Sequence, residues 1–252
     1  MFAQQCNEDI SYEKILAPEE GFVEAATRFL AQPDAIGCNV TMPFKLDAYY
    51  LAQVDDQAAK DAKAVNTLMN HEDGTIKGFN TDGVGLVNDL LNNGVALKNK
   101  RVLLIGAGGA ARGVISPLLE AGVASLIMTN RTIARAEQVA NETNHTRLSV
   151  VSLDNIASVK PHVIINSTAA SLHNELPCHM DAKVLEDCEV VYDMVYKNSP
   201  TLFMREAKAL GVNQCFDGLG MLVEQAASAF QIWTGKTPQT KTVVSELRAI
   251  VS

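Results

Sequence analysis

The 252-residue sequence lacks the features that mark membrane, disulfide-rich and nucleic-acid-binding proteins. No apolar run is long enough to cross a bilayer, and no basic segment leads into an apolar core at the N-terminus. The five cysteines are an odd number without a C-x-x-C pair, and the five histidines show no metal-ligand spacing. The formal net charge of −8 argues against general nucleic-acid binding and against a basic membrane-surface patch. We therefore expect a cytoplasmic protein with reduced thiols and no metal site, binding neither nucleic acid nor a membrane.

Short apolar runs alternate with helix-like segments in the second half of the sequence. The runs have the length and branching of buried strands, and they lie at 102–105, 124–129, 148–151, 162–166 and 190–193. Helical spacing is present at 132–142 and 201–210. This alternation predicts a parallel, doubly wound sheet, and the length allows one or two domains.

The first half of the sequence is less regular. Strands are expected at 11–16, 35–41 and 75–80, with a hairpin turn at Asp73-Gly74 before the last of them. Helical spacing is present at 21–30 and 58–62. Two further helices, at 218–233 and 242–251, lie beyond the alternating region, and we expect them to return to the first half.

A glycine pattern follows directly after the run at 102–105. Gly106, Gly108 and Ala111 have the spacing G-x-G-x-x-A, and a helical pattern begins there. The first glycine permits a tight turn, the second lets backbone approach a pyrophosphate, and a small third residue allows helix and strand to pack closely. The free N–H groups at the start of the helix would then bind phosphate. The alternative is an ordinary tight turn between a strand and a helix.

The next strand ends without the acid that an NAD site uses to bind the ribose 2′-hydroxyl. No Asp or Glu lies between Ala121 and Glu137, whereas Arg131 and Arg135 stand one helical turn apart. Guanidinium groups suit a 2′-phosphate, because they make paired, charge-assisted hydrogen bonds. The sequence therefore favours NADP as the cofactor. A solvated pair of arginines at the start of a surface helix is the alternative.

Two polar segments of the first half could carry chemistry. Asn39 and Thr41 are two residues apart, so their side chains would share one face of a strand. Pro43 suits the first turn of a helix, which would put Lys45 near the helix start, where the dipole disfavours it unless a carboxylate or an anion is close. Asp82 precedes a helical run and is equally compatible with a simple N-cap. Considered alone, the segment around Lys45 favours an exposed lysine on an amphipathic helix.

Taken together, the segments resemble the shikimate dehydrogenase family. The matching motifs occur in family order over nearly the whole chain. They are N-V-T-M-P-F-K at 39–45, A-V-N-T at 64–67, N-T-D-G at 80–83, G-A-G-G-A-A-R at 106–112, N-R-T-I-A-R at 130–135, Y-D-M-V-Y at 192–196 and D-G-L-G-M-L at 217–222. A set of this size and order is not a chance occurrence.

The resemblance implies reversible reduction of 3-dehydroshikimate to shikimate by NADPH, in the pathway to chorismate and the aromatic amino acids. It also implies two α/β domains with the cleft between them. One is a Rossmann-like NADP-binding domain at 83–217, and the other is a smaller substrate-binding domain at 1–82 that the C-terminal helices at 218–252 complete. We expect a monomer or a homodimer.

The resemblance further implies which residues form the sites. Lys45 and Asp82 match the family's catalytic pair, and these two also contact the substrate. The other positions that match substrate-binding residues are Asn39, Thr41, Asn66, Tyr196 and Gln225. The positions that match cofactor-binding residues are Gly106, Ala107, Gly108, Gly109, Ala110, Asn130, Arg131, Thr132, Arg135, Met194 and Gly218.

The chemistry explains these residue types. Hydride addition to a ketone builds negative charge on oxygen, so a proton donor must lie nearby, and Lys45 and Asp82 can share and relay that proton. Which of the two is formally the acid is a property of a coupled pair that the sequence leaves open.

The sequence departs from the family pattern at its start. Family members usually begin with a strand and a G-x-P-x-x-H-S-x-S-P-x-x-H-N segment, whose two serines bind the substrate carboxylate. The first residues here, 1–5, resemble the helix just beyond that segment. We therefore expect the first strand and two substrate ligands to be absent, with an exposed sheet edge as a result. The missing segment suggests one alternative function, a catalytically impaired NADP-binding homologue. A second alternative is a quinate/shikimate dehydrogenase that uses NAD, which the sequence Asn130-Arg131-Thr132 argues against.

Overall fold

A computed structural model describes residues 1–251, so Ser252, the last residue of the predicted segment 218–252, lies outside the described residues. The α-helices are α1 (Phe2–Cys6), α2 (Phe22–Leu30), α3 (Lys45–Leu51), α4 (Gln57–Ala62), α5 (Asp82–Asn92), α6 (Gly109–Glu120), α7 (Ile133–Thr143), α8 (Leu202–Ala209), α9 (Leu219–Thr234) and α10 (Thr240–Val251). The strands are β1 (Gly37–Asn39), β2 (Thr67–Asn70), β3 (Ile76–Phe79), β4 (Arg101–Ile105), β5 (Ser125–Thr129), β6 (Leu148–Val150), β7 (Val163–Asn166), β8 (Val190–Asp193) and β9 (Gln214–Asp217). Short 3₁₀ helices cover Leu153–Val159 and Ala170–His173.

Strands β4 to β9 form a parallel sheet of six strands in the order β6-β5-β4-β7-β8-β9. This is the strand order of a dinucleotide-binding sheet. The chain adds strands outward on one side from β4 to β6 and then on the other side from β7 to β9, so the switch point lies between β4 and β7. One face packs on α5, α6 and α7, and the other packs on the first 3₁₀ helix and α8. Because both faces are covered, the central strands are apolar except at their ends. The predicted α/β fold class is confirmed.

Strands β1, β2 and β3 form a separate antiparallel sheet in sequence order. The β2–β3 hairpin turns at Asp73 and Gly74, as predicted, and Gly74 has a φ of 84°. Helices α2, α3 and α4 contribute to the core of this unit, where Phe22 stacks on Phe44 with ring centroids 5.0 Å apart. The burial of Phe22, Ala26 and Leu30 in this core explains why the apolar spacing of α2 could be detected in the sequence.

Helices α5 and α9 pack against each other between the two sheets. Gly85 of α5 makes the approach close, since a β-carbon there would lie 2.8 Å from Gln225 Cβ and 2.9 Å from the carbonyl oxygen of Met221. Helix α9 then returns to the antiparallel sheet, where the Trp233 indole donates to the carbonyl oxygen of Leu68 at 2.9 Å. The predicted return of the C-terminal helices is therefore observed for α9. Helix α10 contacts α1, since the Gln5 side-chain amide donates to the Thr242 hydroxyl at 3.3 Å. It also contacts the parallel sheet through the ion pair of Arg248 with Asp217 at the end of β9.

Three sequence predictions differ from the structure. Residues 11–16 form no strand, and Leu16 is 96% exposed, because no neighbouring strand pairs with the segment. Pro43 lies in a turn ahead of α3, whose N-cap is Phe44, rather than in the first helical turn. Strand β9 escaped prediction, because it is a short edge strand with polar ends. Within residues 1–251, no helix combines the length and the apolar character needed to span a membrane.

Candidate active site

Lys45 and Asp82 form an ion pair, although 37 residues separate them in the sequence. The Lys45 Nζ donates to Asp82 Oδ2 at 2.5 Å, and the two side chains are only 24% and 11% exposed. Each residue is the first of its helix, so the dipole of α5 favours the carboxylate whereas that of α3 disfavours the ammonium. The carboxylate offsets this penalty, as expected from the sequence. Asp82 does not act as an N-cap, since that position belongs to Thr81.

The buried Asn66 side chain connects Asp82 with two other elements. Its Nδ2 donates to Asp82 Oδ1 at 2.9 Å and to Gln225 Oε1 at 3.2 Å. Its Oδ1 accepts from the backbone N–H of Thr81 at 2.9 Å and from the hydroxyl of Thr67 at 3.0 Å. Asn66 therefore holds the start of α5 and the middle of α9 in one arrangement.

Asn39 joins the same network from β1. Its Nδ2 donates to Thr67 Oγ1 at 3.1 Å and to the carbonyl oxygen of Asn66 at 3.3 Å. Its Oδ1 accepts from the hydroxyl of Tyr12 at 2.9 Å. Both amide hydrogens of Asn39 thus have protein acceptors, while an oxygen with two lone pairs can still accept one more donor. The side chain is ready to accept a ligand hydroxyl.

The remaining two predicted substrate residues stand apart from this network. Thr41 is exposed after the end of β1, and its carbonyl oxygen accepts from the N–H of Phe44. Tyr196 lies on the loop after β8 and is 40% exposed. Among the described residues, no hydrogen bond connects either side chain with Lys45 or Asp82.

The predicted phosphate-binding turn is open to solvent. Gly106 has a φ of 120°, which a residue with a side chain rarely adopts, and Ser167 lies directly beside it. Gly108 is the N-cap of α6 and supplies no side-chain cap, and β-carbons at Gly108 and Gly109 would have no atom within 4 Å. The backbone N–H groups at the start of α6 therefore have both the space and the polarity to bind a phosphate. Ala107 and Ala110 complete the turn.

Beyond β5, the structure presents the two arginines of the predicted 2′-phosphate site. Arg131 and Arg135 are exposed, and within the described part of the chain neither makes an ion pair or a side-chain hydrogen bond. Asn130 donates to the carbonyl oxygen of Thr132 at 2.8 Å, which shapes the turn before α7. Guanidinium groups without protein partners are suited to bind the 2′-phosphate of NADP, and the open glycine turn is suited to bind its pyrophosphate.

The last predicted cofactor residues, Met194 and Gly218, meet at the carboxyl ends of β8 and β9. A β-carbon at Gly218 would overlap the carbonyl group of Met194, so only glycine fits there without a shift of backbone. Met194 also donates its N–H to the carbonyl oxygen of Asn166 at 2.9 Å. The carboxyl ends of β8 and β9 are therefore held in place here by backbone contacts.

The start of α5, which carries Asp82, packs against α6, the helix that follows the glycine turn. A β-carbon at Gly113, in the second turn of α6, would lie 3.6 Å from Asp82 Cβ. Polar contacts also tie α4 to the nucleotide side, since Ser116 donates to Asp61 and Lys63 pairs with Glu142 at 3.7 Å. The Arg112 guanidinium beside Glu142 lowers the pKa of that carboxyl to about 2.

The sequence did not identify three residues of this site, Tyr12, Thr67 and Thr81. Thr67 is completely buried, and Thr81 is 4% exposed, so their hydroxyls act inside the network rather than at its surface. Thr67 and Thr81 belong to the motifs A-V-N-T and N-T-D-G, which was the only available signal. Tyr12 lies in a segment without regular structure, and no sequence pattern points to it.

The arrangement can transfer a proton between a lysine and a carboxylate beside a nucleotide-binding turn. It also offers several fixed amide and hydroxyl groups to a ligand rich in hydroxyls. No group of His, Cys, Asp or Glu side chains within residues 1–251 has the geometry of a metal site.

Three family models match the chain. The model of the shikimate dehydrogenase substrate binding domain matches residues 1–68. The model of shikimate / quinate 5-dehydrogenase matches residues 88–185, and that of the shikimate 5′-dehydrogenase C-terminal domain matches residues 218–248.

Individual relatives agree with these models. The chain is 68% identical over 251 residues to a shikimate dehydrogenase (NADP(+)) of Alteromonas mediterranea, an alignment that covers 100% of this chain and 90% of the relative. It is 47% identical over 249 residues to a protein of the same name from Vibrio campbellii, covering 98% and 89%. The structure of shikimate 5-dehydrogenase from Thermus thermophilus in complex with NADP(H) and shikimate matches with a TM-score of 0.86 at 31% identity, covering 100% of this chain and 92% of that one.

Proposed function

The chain belongs to the shikimate dehydrogenase family, and we infer that it catalyses the reversible, NADP-dependent reduction of 3-dehydroshikimate to shikimate, a step toward chorismate and the aromatic amino acids. The observation that carries the mechanism is the 2.5 Å contact between Lys45 and Asp82. We propose that a cleft between this pair and the glycine turn holds the two reactants. NADPH, when bound, supplies the hydride. The residues of the chain bind both reactants and move the proton.

We propose that Lys45 and Asp82 transfer the proton that accompanies hydride transfer. As the carbonyl carbon is reduced, negative charge develops on its oxygen, and the ammonium of Lys45 can donate a hydrogen bond and then a proton to it. Asp82 holds the Lys45 Nζ in place and keeps its charge compensated, while Asn66 fixes the other carboxylate oxygen at 2.9 Å. In the reverse direction the same pair accepts the proton from shikimate. Positioned groups of this kind contribute about 10²- to 10⁴-fold in rate.

The substrate proposal rests on polar groups held on three elements. Asn39, Asn66 and Gln225 present amide groups to the cleft, and we propose that they bind the hydroxyl or carboxylate groups of shikimate together with Thr41 and Tyr196. Because Asn39, Asn66 and Gln225 are held in place by protein partners, they present a fixed pattern of polar atoms. A ligand without the matching hydroxyl would lose a hydrogen bond that this pattern offers. The site should therefore reject analogues that lack a hydroxyl strongly.

The cofactor proposal assigns the pyrophosphate to the glycine turn at 106–110 and the 2′-phosphate to Arg131 and Arg135. Asn130 and Thr132 shape the turn that presents these arginines. We place the nicotinamide beside Met194 and Gly218, at the carboxyl ends of β8 and β9. This arrangement puts the ring on the side of the cleft that faces Lys45 and Asp82.

We propose the domain division expected from the sequence, with a nucleotide-binding unit at 83–217 and a substrate-binding unit at 1–82 completed by 218–252. Its support is that each sheet is confined to one of these ranges and that Trp233 of α9 contacts β2.

We also propose a cytoplasmic location, which the five free cysteines support, and no binding of nucleic acid, which the charge of −8 supports. Oligomeric state is proposed as monomer or homodimer.

The function is tested by following the reduction of NADP at 340 nm (a wavelength set by the reduced cofactor) with shikimate, then with quinate, and then with NAD in place of NADP. We expect turnover with shikimate and NADP and much less with NAD. Comparable turnover with quinate would favour the second activity named in the family model at 88–185. Binding of NADP without any turnover would reject the proposal and favour the catalytically impaired homologue.

A further inference from the structure

A completely buried carboxylate, that of Asp193, lies at the carboxyl end of β8, where it has no assigned role. It accepts four hydrogen bonds. The hydroxyls of Ser171 and Thr201 donate to Oδ2 at 2.5 and 2.7 Å. The Asn166 side-chain nitrogen and the Val195 N–H donate to Oδ1 at 3.0 and 3.2 Å.

The four donors belong to four different segments of the chain. Asn166 ends β7, and Ser171 is in the 3₁₀ helix Ala170–His173. Val195 lies in the loop after β8, and Thr201 is the N-cap of α8, where its hydroxyl also accepts from the N–H of Met204. One carboxylate therefore fixes the loop after β7, the loop after β8 and the helix that follows.

The loop after β7 forms one wall beside the glycine turn. Asn166 Oδ1 accepts from both the N–H and the hydroxyl of Thr168, at 3.0 and 2.7 Å. Ser167, between them, donates its hydroxyl to the carbonyl oxygen of Ile105 at 2.8 Å, and a β-carbon at Gly106 would overlap the Ser167 hydroxyl. A shift of this loop would therefore change the shape of the glycine turn.

The loop after β8 forms the second wall. It carries Met194 and Tyr196, and Met194 is held on one side by the carbonyl oxygen of Asn166 and on the other by Gly218. Asp193 directly precedes this loop and binds the N–H of Val195 within it. The same carboxylate thus determines the position of both walls.

The chemistry of the group fits such a role. Within the described residues no Lys, Arg or His pairs with Asp193. Burial raises the pKa of its carboxyl, and the four hydrogen bonds offset that rise only in part. A buried carboxylate is costly unless its hydrogen bonds offset the lost hydration. An apolar residue at position 193 would avoid the cost of burying a charge. It would also remove the acceptor of four donors and the contacts that connect the two loops.

We propose that Asp193 is a positioning residue for hydride transfer, which holds the loops at 166–171 and 194–196 as the two walls of the nicotinamide pocket. This inference rests on the proposed function, and wild-type turnover of shikimate with NADP tests that function separately. If the wild type is active and the variants below behave like it, only the inference about Asp193 fails.

The main variant is Asp193→Asn, which keeps the shape and removes the charge. We expect kcat to fall by about ten- to a hundredfold, because misplacement of reacting groups by about 1 Å has effects of that size. The deuterium isotope effect with shikimate labelled at the carbon that loses the hydride should rise, since hydride transfer becomes more rate-limiting. In the protein without ligands, amide hydrogen exchange at 167–171 and 194–196 should accelerate.

Two smaller changes cover the case in which Asp193→Asn fails to fold. Thr201→Val removes one donor to Oδ2, and Thr201→Ser restores the hydroxyl. We expect Thr201→Val to lower kcat and speed exchange at 194–196, and Thr201→Ser to return both toward wild type. Ser171→Ala should act in the same direction at 167–171.

Val184→Ala is the matched control, because Val184 lies in the core on the same face of the sheet without touching the network. It should lower the melting temperature while kcat per folded molecule and the isotope effect stay at wild-type values. The proposal is overturned if Asp193→Asn or Thr201→Val leaves the isotope effect and exchange at both loops unchanged. It is equally overturned if Val184→Ala reproduces their effects at a similar loss of melting temperature.

Discussion

The two sides of the cleft are prepared for their ligands in opposite ways. On the substrate side, the polar side chains of Asn39, Asn66 and Asp82 already have protein partners, and most of them are buried. On the nucleotide side, the glycine turn is open, and Arg131 and Arg135 are exposed without side-chain partners among the described residues. The substrate side is a network of hydrogen bonds that is complete without a ligand, whereas the nucleotide side presents polar groups without protein partners among the described residues.

The difference follows from what each ligand demands. A small molecule with several hydroxyls is distinguished by fixed geometry, and fixed geometry requires side chains that hold one another. A dinucleotide carries phosphates, whose charge is recognised by backbone N–H groups and flexible cations. Changes on the substrate side should therefore act on kcat or on the KM for shikimate, and changes on the nucleotide side on the affinity for the cofactor.

The strongest test of this contrast is Lys45→Ala. We expect kcat to fall by about 10²- to 10⁴-fold with a much smaller rise in the KM for shikimate, because the proton donor is lost while most substrate contacts remain. Steady-state kinetics at saturating NADP measures both constants. Lys60→Ala, at an exposed position of α4, serves as the control and should behave like wild type. Near wild-type turnover of Lys45→Ala would remove Lys45 from the mechanism.

On the nucleotide side, Arg131→Ala should weaken NADP binding by about ten- to a hundredfold, since a hydrogen bond to a charged group contributes about 1.5–3 kcal/mol. The affinity for NAD should hardly change, so the preference for NADP falls by the same factor. Calorimetric titration with each nucleotide gives both affinities. Arg28→Ala, a change at an exposed arginine of α2, should alter neither. An equal loss of NAD affinity would show that Arg131 does not read the 2′-phosphate.

Thr67→Val tests whether the hydrogen-bond network on the substrate side contributes to shikimate binding. Removing the buried Thr67 hydroxyl takes one hydrogen bond from Asn39 and one from Asn66, a cost of about 0.5–1.5 kcal/mol for each bond. We expect a lower melting temperature and a higher KM for shikimate, with unchanged affinity for NADP. Thr67→Ser keeps the hydroxyl and should recover most of the loss. If Thr67→Val weakened NADP binding as much as shikimate binding, the two sides would not be independent.

The smallest effect concerns the helix pair between the two sides. Burial raises the pKa of Asp89 on α5, whose carboxylate accepts from Tyr192 and Asn93 and faces Glu224, Asp217 and Arg248. A raised folded-state pKa means that the folded protein binds this proton more tightly, so the carboxyl stabilises the fold at low pH and loses that contribution as pH rises.

Asp89→Asn should therefore raise the melting temperature at neutral pH, by about 2–4 °C for each kcal/mol gained. The gain should shrink as pH falls through the folded-state pKa of Asp89 toward the ordinary aspartate value. Melting curves of both proteins across this range provide the measurement. A gain that grows toward acid pH would have the wrong sign and would contradict the assignment.

The same contrast explains which parts were predictable from the sequence. The glycine turn depends on residues close together in the chain, so the spacing from Gly106 to Ala111 was enough to locate it. The buried strands of the parallel sheet were also predictable, because burial on both faces makes them uniformly apolar.

The parts that escaped prediction depend on distant partners. Thr67 became part of the site only when Asn39 and Asn66 were seen on either side of it, and Tyr12 contacts Asn39 from an irregular segment. The expected strand at 11–16 failed for a related reason, since a strand needs a neighbour as well as a suitable composition. The motifs identified Lys45 and Asp82, but local propensity alone could not distinguish them from an exposed lysine and a helix cap.

The close crossing of α5 and α9 has a consequence for selectivity. Gly85 has no side chain between the two helices, so α5 and α9 lie close together. This short distance between the helices allows Gln225 to contact Asn66 and Thr81. Even a methyl group at position 85 would wedge the helices apart and withdraw the Gln225 amide from the pocket floor. If Gln225 binds a substrate hydroxyl as proposed, the missing side chain at Gly85 contributes to the selection of the hydroxyl pattern.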